Sequence, residues 1–129
     1  MPQINDASAQ IYEQLNVIAK SFAEKHDIFF LPWYHDETET VLLPNSDKNK
    51  SISIDLSMTQ KIVLKPPIYF TVLIYSHIFR EGKWERKYFE NIQIKARLKI
   101  QKGFQYFSIY KTNLKKIEEA LEKAFAALS

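Results

Sequence analysis

Basic side chains occupy every second position in one segment near the middle of the chain. Lys95, Arg97 and Lys99 alternate with mainly apolar residues within residues 92–100. Successive side chains of a β-strand point to opposite faces, so a strand here would place all three cations on one face and the apolar residues on the other. Cations in such a row can neutralise the phosphates of a nucleic-acid strand.

Aromatic residues stand at odd-numbered positions on both sides of this segment, as the three cations do. Aromatic rings can stack on nucleobases, with a gain of about 1–3 kcal/mol per base. The predicted binding residues besides the three cations are Tyr75, His77, Lys87 and Phe107. These residues share a face with the cations only if the neighbouring strands pair in the right register.

The only two glycines of the chain predict that register. They stand third in the segments Arg80-Glu81-Gly82 and Gln101-Lys102-Gly103. Glycine takes this place in a three-residue hairpin loop because the last residue of the loop adopts a positive φ. Two such loops predict three antiparallel strands, over about residues 68–79, 83–100 and 104–110, in which odd positions face odd positions.

This register makes specific predictions for the odd-numbered face. It places Phe107 across from Arg97 and Tyr75 across from Lys87. The middle strand is longer than the usual five or six residues, so we also predict a bulge near residues 90–91.

The remaining segments predict an α+β fold in which residues 1–129 form a single domain. An N-terminal helix over 6–25 and a C-terminal helix over 112–128 each carry an apolar stripe at three- and four-residue spacing. Further strands are predicted at 28–34, 38–43, 51–57 and 61–65. We therefore expect an antiparallel sheet of six or seven strands with both helices packed on it.

The composition predicts the cellular setting. The chain contains no cysteine, which excludes disulfides, thiol catalysis and thiolate metal sites. Its N-terminus has no basic stretch that leads into an apolar one, and no apolar segment approaches the ~20 residues of a membrane span. We therefore expect a cytoplasmic protein that does not insert into a membrane.

Motifs for catalysis are missing from the sequence. There is no glycine-rich phosphate loop and no His-Glu-x-x-His segment. Asp55 with Gln93 and Lys95 resembles the metal site of restriction-type nucleases only faintly, and a solvent-exposed lysine explains the pattern better. The histidine and acidic residues at 35–39 are interpreted as a solvated turn. We expect no enzymatic activity, no cofactor and no metal site.

Charge is divided unevenly along the chain. Residues 1–50 carry a net charge of −4, residues 51–111 carry +7, and the whole chain carries +3. This asymmetry has two interpretations of similar weight. The basic half binds an anionic partner, or the acidic half lies against the basic sheet within the domain.

Together these observations favour a non-catalytic domain that binds single-stranded DNA or RNA through a basic, aromatic sheet face. The alternative is a protein-interaction module, such as an accessory subunit, an inhibitor or an immunity-type factor, that uses the same face or an edge strand. Tyrosine, phenylalanine, tryptophan and arginine suit such an interface equally well. A homodimer is compatible with both hypotheses. The sequence leaves open whether the odd face of residues 69–109 is exposed or covered.

Overall fold

The computed structural model describes residues 4–33, 40–57 and 68–129. The helices are α1 (Ile4–His26) and α2 (Lys111–Ala126). The strands are β1 (Val41–Pro44), β2 (Lys50–Ser57), β3 (Ile68–Arg80), β4 (Lys83–Gln101) and β5 (Phe104–Ile109). They form one antiparallel sheet in the order β1-β2-β3-β4-β5. The predicted α+β class, with one helix before the sheet and one after it, is confirmed.

The number of strands differs from the prediction. The described residues form five strands, so the prediction of six or seven is wrong. Of the predicted strand at 28–34, the described residues 28–33 form an isolated bridge between Leu31 and Leu42 and one further backbone bond to β1, from the N–H of Phe29 to the carbonyl of Pro44. Pro32 has no N–H to donate, and the N–H of Trp33 donates to Asn16 Oδ1 instead of to a strand. The predicted strand at 61–65 lies outside the described residues.

Both helices pack on the face of the sheet that carries the even-numbered residues of β2, of β3 and of residues 88–101 in β4. One buried cluster joins helix residues Ile11, Leu15, Phe22, Ile117 and Leu121 to strand residues Ile54, Phe70, Ile74, Ile94 and Ala96. This face therefore holds the main core. Burial of each large apolar side chain in it contributes about 1.5–3 kcal/mol to stability. The odd-numbered residues of the same stretches point away from the core.

The two hairpin loops each contain two residues, so the prediction of three-residue loops is wrong. Arg80 pairs with Lys83, and Gln101 pairs with Phe104. Both central residues of each loop have positive φ angles, which are 54° and 82° in Glu81-Gly82 and 51° and 81° in Lys102-Gly103. This is a type I′ turn, whose twist matches that of the strands it joins.

The shorter loop reverses the faces of β5. A shift of one position against β4 turns each side chain of β5 to the opposite side of the sheet. Phe107 pairs with Leu98 on the core face and is 0% exposed, whereas Phe104 is 76% exposed. Arg97 faces Ser108, so the prediction that Phe107 lies across from it on the odd face is wrong.

A β-bulge cancels the same shift between β3 and β4. The extra residue is Lys87, which has no partner on β3. Beyond it even positions again face even positions, because a bulge inserts one residue into one strand of a pair. Tyr75 therefore faces Phe89 and not Lys87 as predicted, and the bulge lies before the predicted residues 90–91.

Candidate nucleic-acid interface

The face of the sheet opposite the helices is open in the part of the chain that the structure describes. We call it the outer face. It consists of the odd-numbered residues of β2, β3 and of β4 after the bulge, together with Trp84 and Arg86 before the bulge, Leu42 and Pro44 of β1, and Phe104, Tyr106 and Ser108 of β5. Along β3 buried residues alternate with half-buried or exposed ones, as one uncovered face requires.

The predicted cations Lys95, Arg97 and Lys99 lie on the outer face near the β4–β5 hairpin. The ammonium of Lys95 is 5.3 Å from the ring centre of Tyr110 and 6.0 Å from that of Tyr69. The guanidinium of Arg97 is 5.3 Å from the Tyr110 ring. Each such cation–π contact contributes about 0.5–1 kcal/mol at an exposed site. The rings therefore hold the cations in place while leaving their charge uncompensated.

The backbone of this basic end is fixed by the start of α2. The N–H of Lys95 donates to Asn113 Oδ1 at 2.6 Å, and the N–H of Tyr110 donates to the carbonyl of Lys95 at 3.2 Å. Asn113 is buried, and its side-chain oxygen satisfies the N–H of Lys95 at the point where β5 ends. These bonds also place the Tyr110 ring beside Lys95 and Arg97.

No carboxylate of the described residues forms a salt bridge with Lys95, Arg97 or Lys99. Asp55 of β2 shares the outer face, but it pairs with Leu73, which in turn pairs with Asn91. It therefore lies two strands away from β4, at the level of Asn91. The basic end consequently keeps a local excess of positive charge.

Aromatic residues cluster on the outer face nearer the β3–β4 hairpin. The ring centres of Tyr75 and His77 are 5.9 Å apart, and those of Tyr75 and Phe89 are 5.0 Å apart. The guanidinium of Arg86 lies 5.2 Å from the Phe89 ring. The structure thus brings Tyr75 and His77 together, as predicted, and adds Phe89 and Arg86 to them.

The tip of this hairpin carries a pair of rings that the sequence analysis missed. Phe79 and Trp84 have ring centres 5.4 Å apart and are 43% and 51% exposed. A three-residue loop would place Trp84 on the buried face. The dipeptide Glu81-Gly82 is also compatible with a two-residue type I′ turn, since Asp-Gly and related pairs favour such turns, and that turn places Trp84 on the outer face.

Two predicted binding residues occupy positions unlike those expected. Phe107 is fully buried, and its N–H donates to Gln10 Oε1 of α1. Its ring is therefore not accessible to a base. Lys87 is the bulge residue, and its ammonium lies 3.6 Å from the carboxylate of Glu85. Exposed ion pairs of this length are weak, so Lys87 is still able to contact an anion.

Acid pH should destabilise the protein through His77. Burial holds the pKa of His77 below its ordinary value of 6.5, and the Arg86 guanidinium lowers it further. As the pH falls through about 6.5, the unfolded chain binds a proton at this residue more readily than the folded protein does. We expect the free energy of unfolding to decrease from about pH 7.5 to about pH 5.5, and to decrease less in a His77→Gln variant. Urea unfolding of both proteins measures this, and an equal decrease in both would contradict it.

Comparisons with known proteins gave no relative from which a function could be transferred. No protein-family model, curated protein or solved structure matched the chain. Within the described ranges, no helix is both long and apolar enough to cross a membrane. The same residues contain no group of three or more histidine, cysteine, aspartate or glutamate side chains placed to hold a metal ion. The outer face is therefore the feature on which a functional proposal rests.

Proposed function

We propose that the protein binds single-stranded DNA or RNA on its outer face and catalyses no reaction there. The observation that carries this proposal is the position of Lys95 and Arg97, which lie over tyrosine rings on an open face without a described carboxylate partner. Proteins that hold single strands combine a cationic track for the phosphates with rings for the bases, and they need no sequence-specific hydrogen bonds.

In this proposal each end of the outer face has its own role. Lys95, Arg97 and Lys99 neutralise phosphates at the basic end, and Tyr75 and His77 with Phe89 stack bases towards the hairpin. Along β4, nine residues separate Arg86 from Lys95, which corresponds to about 30 Å at ~3.3 Å per residue. A ligand of several nucleotides is long enough to contact both ends, which agrees with the roughly 4–16 nucleotides that single-strand-binding modules occupy.

The exposed rings support a second candidate function, which is protein interaction through the same face. Phe79, Trp84 and Phe89 are each more than two-fifths exposed. Aromatic residues are enriched in protein interfaces and often contribute most of the binding energy. In this alternative the rings bind a protein surface, and the cations at the other end contribute little.

Salt dependence of oligonucleotide binding tests the proposal and separates the two functions. Three neutralised phosphates predict that the logarithm of the association constant falls with the logarithm of salt concentration with a slope of about −2. We expect a labelled single-stranded oligonucleotide to bind about 20-fold more weakly at ~200 mM than at ~50 mM salt, as measured by fluorescence anisotropy. Absence of binding at low salt would contradict the proposal. Binding that does not change with salt would favour an aromatic contact without phosphate neutralisation.

A further inference from the structure

The free edge of β5 is covered by two glutamine side chains of α1. Gln10 Oε1 accepts from the N–H of Phe107 at 2.7 Å, and Gln14 Oε1 accepts from the N–H of Ile109 at 2.9 Å. Gln14 Nε2 also donates to the carbonyl of Phe107 at 2.8 Å. Peptide groups that would bind a sixth strand are thus already satisfied, which protects the edge against pairing with another chain.

The edge of β1 is covered by backbone from the segment after α1. The N–H of Leu31 donates to the carbonyl of Leu42 at 2.8 Å, and the N–H of Leu42 donates back at 3.0 Å. The N–H of Phe29 donates to the carbonyl of Pro44 at 3.0 Å. Both outer strands of the sheet therefore have their edges occupied.

A third edge is open among the described residues, and it belongs to β4. β5 pairs with β4 only from Ala96 to Gln101, so the part of β4 nearer the β3–β4 hairpin extends beyond it. The N–H and carbonyl of Lys95 point to this side, towards Asn113 and Tyr110. In an antiparallel strand the peptide groups of every second residue point to the same side.

It follows that Gln93, Asn91 and Phe89 direct their N–H and carbonyl groups to the open side. All three residues are exposed, and no described strand pairs with them there. Lys87 also directs its peptide groups to the open side. At the bulge, β4 has two residues between successive hydrogen-bonded pairs, whereas β3 has only one. An exposed edge with this many unpaired groups favours the addition of another strand.

We propose that a second copy of this chain pairs its β4 antiparallel with this edge, about a two-fold axis beside Phe89. This register places Phe89 opposite Phe89, and Asn91 of each copy opposite Lys87 of the other. Residues whose peptide groups point to the open edge therefore face each other at three positions. This pairing covers residues 87–91 of each copy. The β3–β4 hairpin of the second copy bends away at the bulge before it reaches Lys95, whose peptide groups are already bound by Asn113 and Tyr110. Most homo-oligomers are dimers with a two-fold axis, and antiparallel pairing of one strand with itself satisfies that symmetry.

The side chains brought together by this register are complementary. Phe89 meets Phe89 of the second copy on the outer face, where it is 43% exposed in the single chain. Tyr88 meets Glu90 of the second copy on the helix side. Within one chain the Tyr88 hydroxyl already donates to Glu90, so the chemistry of the two groups matches. Within residues 87–91 the register places no like charges directly opposite each other, an arrangement that would destabilise a strand pair.

A groove beside the open edge provides space for the side chains of the second copy. It has a volume of about 400 Å³ and lies between β4 and α2, with Glu90, Ile92, Lys116, Glu119, Ala120 and Lys123 among its lining residues. Glu90 of the second copy would enter it, where Lys116 and Lys123 balance the charges of the two carboxylates already on the lining. The dimer would form one continuous sheet, and it does not depend on the proposed binding of nucleic acid.

An introduced cysteine tests the two-fold axis, because the chain has none of its own. In Phe89→Cys the two introduced residues would have Cα atoms about 5.5 Å apart, which a disulfide can bridge. In the matched control Asn91→Cys the corresponding Cα atoms would be about 13 Å apart, which is too far. We expect mild oxidation to cross-link Phe89→Cys into a dimer on a non-reducing gel and to leave Asn91→Cys monomeric. Equal cross-linking of both variants, or none of either, would overturn the proposed axis.

Proline at position 91 tests the hydrogen bonds themselves. Asn91→Pro removes an N–H that no described group accepts, and proline is tolerated on an edge strand when its missing N–H faces solvent. We expect the wild type to sediment at twice its chain mass of 15.2 kDa at high protein concentration. Asn91→Pro should sediment at the single-chain mass, and Asn91→Ala, which keeps the N–H, should remain a dimer. A wild type that stays monomeric over a wide concentration range would overturn the proposal and leave the edge to an extended peptide of another protein.

Discussion

Replacing Phe107 by alanine should lower the free energy of unfolding by about 3–5 kcal/mol, which is the usual cost of truncating a buried phenylalanine. Phe107 is 0% exposed and belongs to the main core, where it lies beside Leu98 of β4. A cavity left there cannot close fully, because the strand pairing and the glutamines of α1 fix the surrounding backbone. Urea unfolding followed by circular dichroism measures this loss.

Phe104 provides the matched control because it is the same residue type on the same strand. It is 76% exposed, so Phe104→Ala should change the free energy of unfolding by no more than about 0.5 kcal/mol. The three-residue loop predicts the reverse order, with Phe104 buried and Phe107 exposed. A larger loss for Phe104→Ala than for Phe107→Ala would therefore refute the two-residue loop between β4 and β5.

Replacing Lys95, Arg97 and Lys99 together by glutamine should weaken binding of a single-stranded oligonucleotide about 100-fold at ~0.1 M salt. This follows if each residue neutralises one phosphate, since each contact on a single strand contributes about 0.7 to the slope of the salt dependence. The slope should fall towards zero in the same variant. The free energy of unfolding should decrease by only about 1–2 kcal/mol, because the contacts with Tyr69 and Tyr110 are the main interactions lost. Anisotropy titrations at several salt concentrations, with a circular dichroism check of folding, measure both effects.

A second triple variant distinguishes the site from net charge. Lys20, Lys25 and Lys115 are exposed on the helices, and their replacement by glutamine changes the total charge equally. This variant should bind nearly as well as the wild type, because its charges lie on the opposite side of the sheet from the outer face. Equal weakening by both triple variants would show that binding depends on overall charge and not on the outer face.

Part of the candidate site followed from local pattern alone. The alternation over residues 92–100 placed Lys95, Arg97 and Lys99 opposite Ile94 and Ala96, and the structure has this arrangement. The two helices also followed from apolar spacing. Such predictions succeed because the period of a helix or strand depends only on neighbours in the chain.

The register between strands did not follow in the same way. Arg80-Glu81-Gly82 fits a three-residue loop that ends in glycine and equally a two-residue loop formed by Glu81 and Gly82. The two differ in whether Glu81, which is not a glycine, adopts a positive φ, and it does so at 54°. That single angle decides the face of Trp84, and the corresponding angle of Lys102 decides the face of Phe107.

The α+β class, the helix at each end of the sheet and the shared orientation of the three cations thus followed from local patterns in the chain. The folded arrangement of the strands and helices was needed to establish which aromatic residues join those cations and which face of the sheet stays open. This is because register changes in steps of one residue, and each step moves a whole strand's side chains to the other face. Loop φ angles, the bulge at Lys87 and the packing of both helices fix that step together, and none of the three is a property of one local segment.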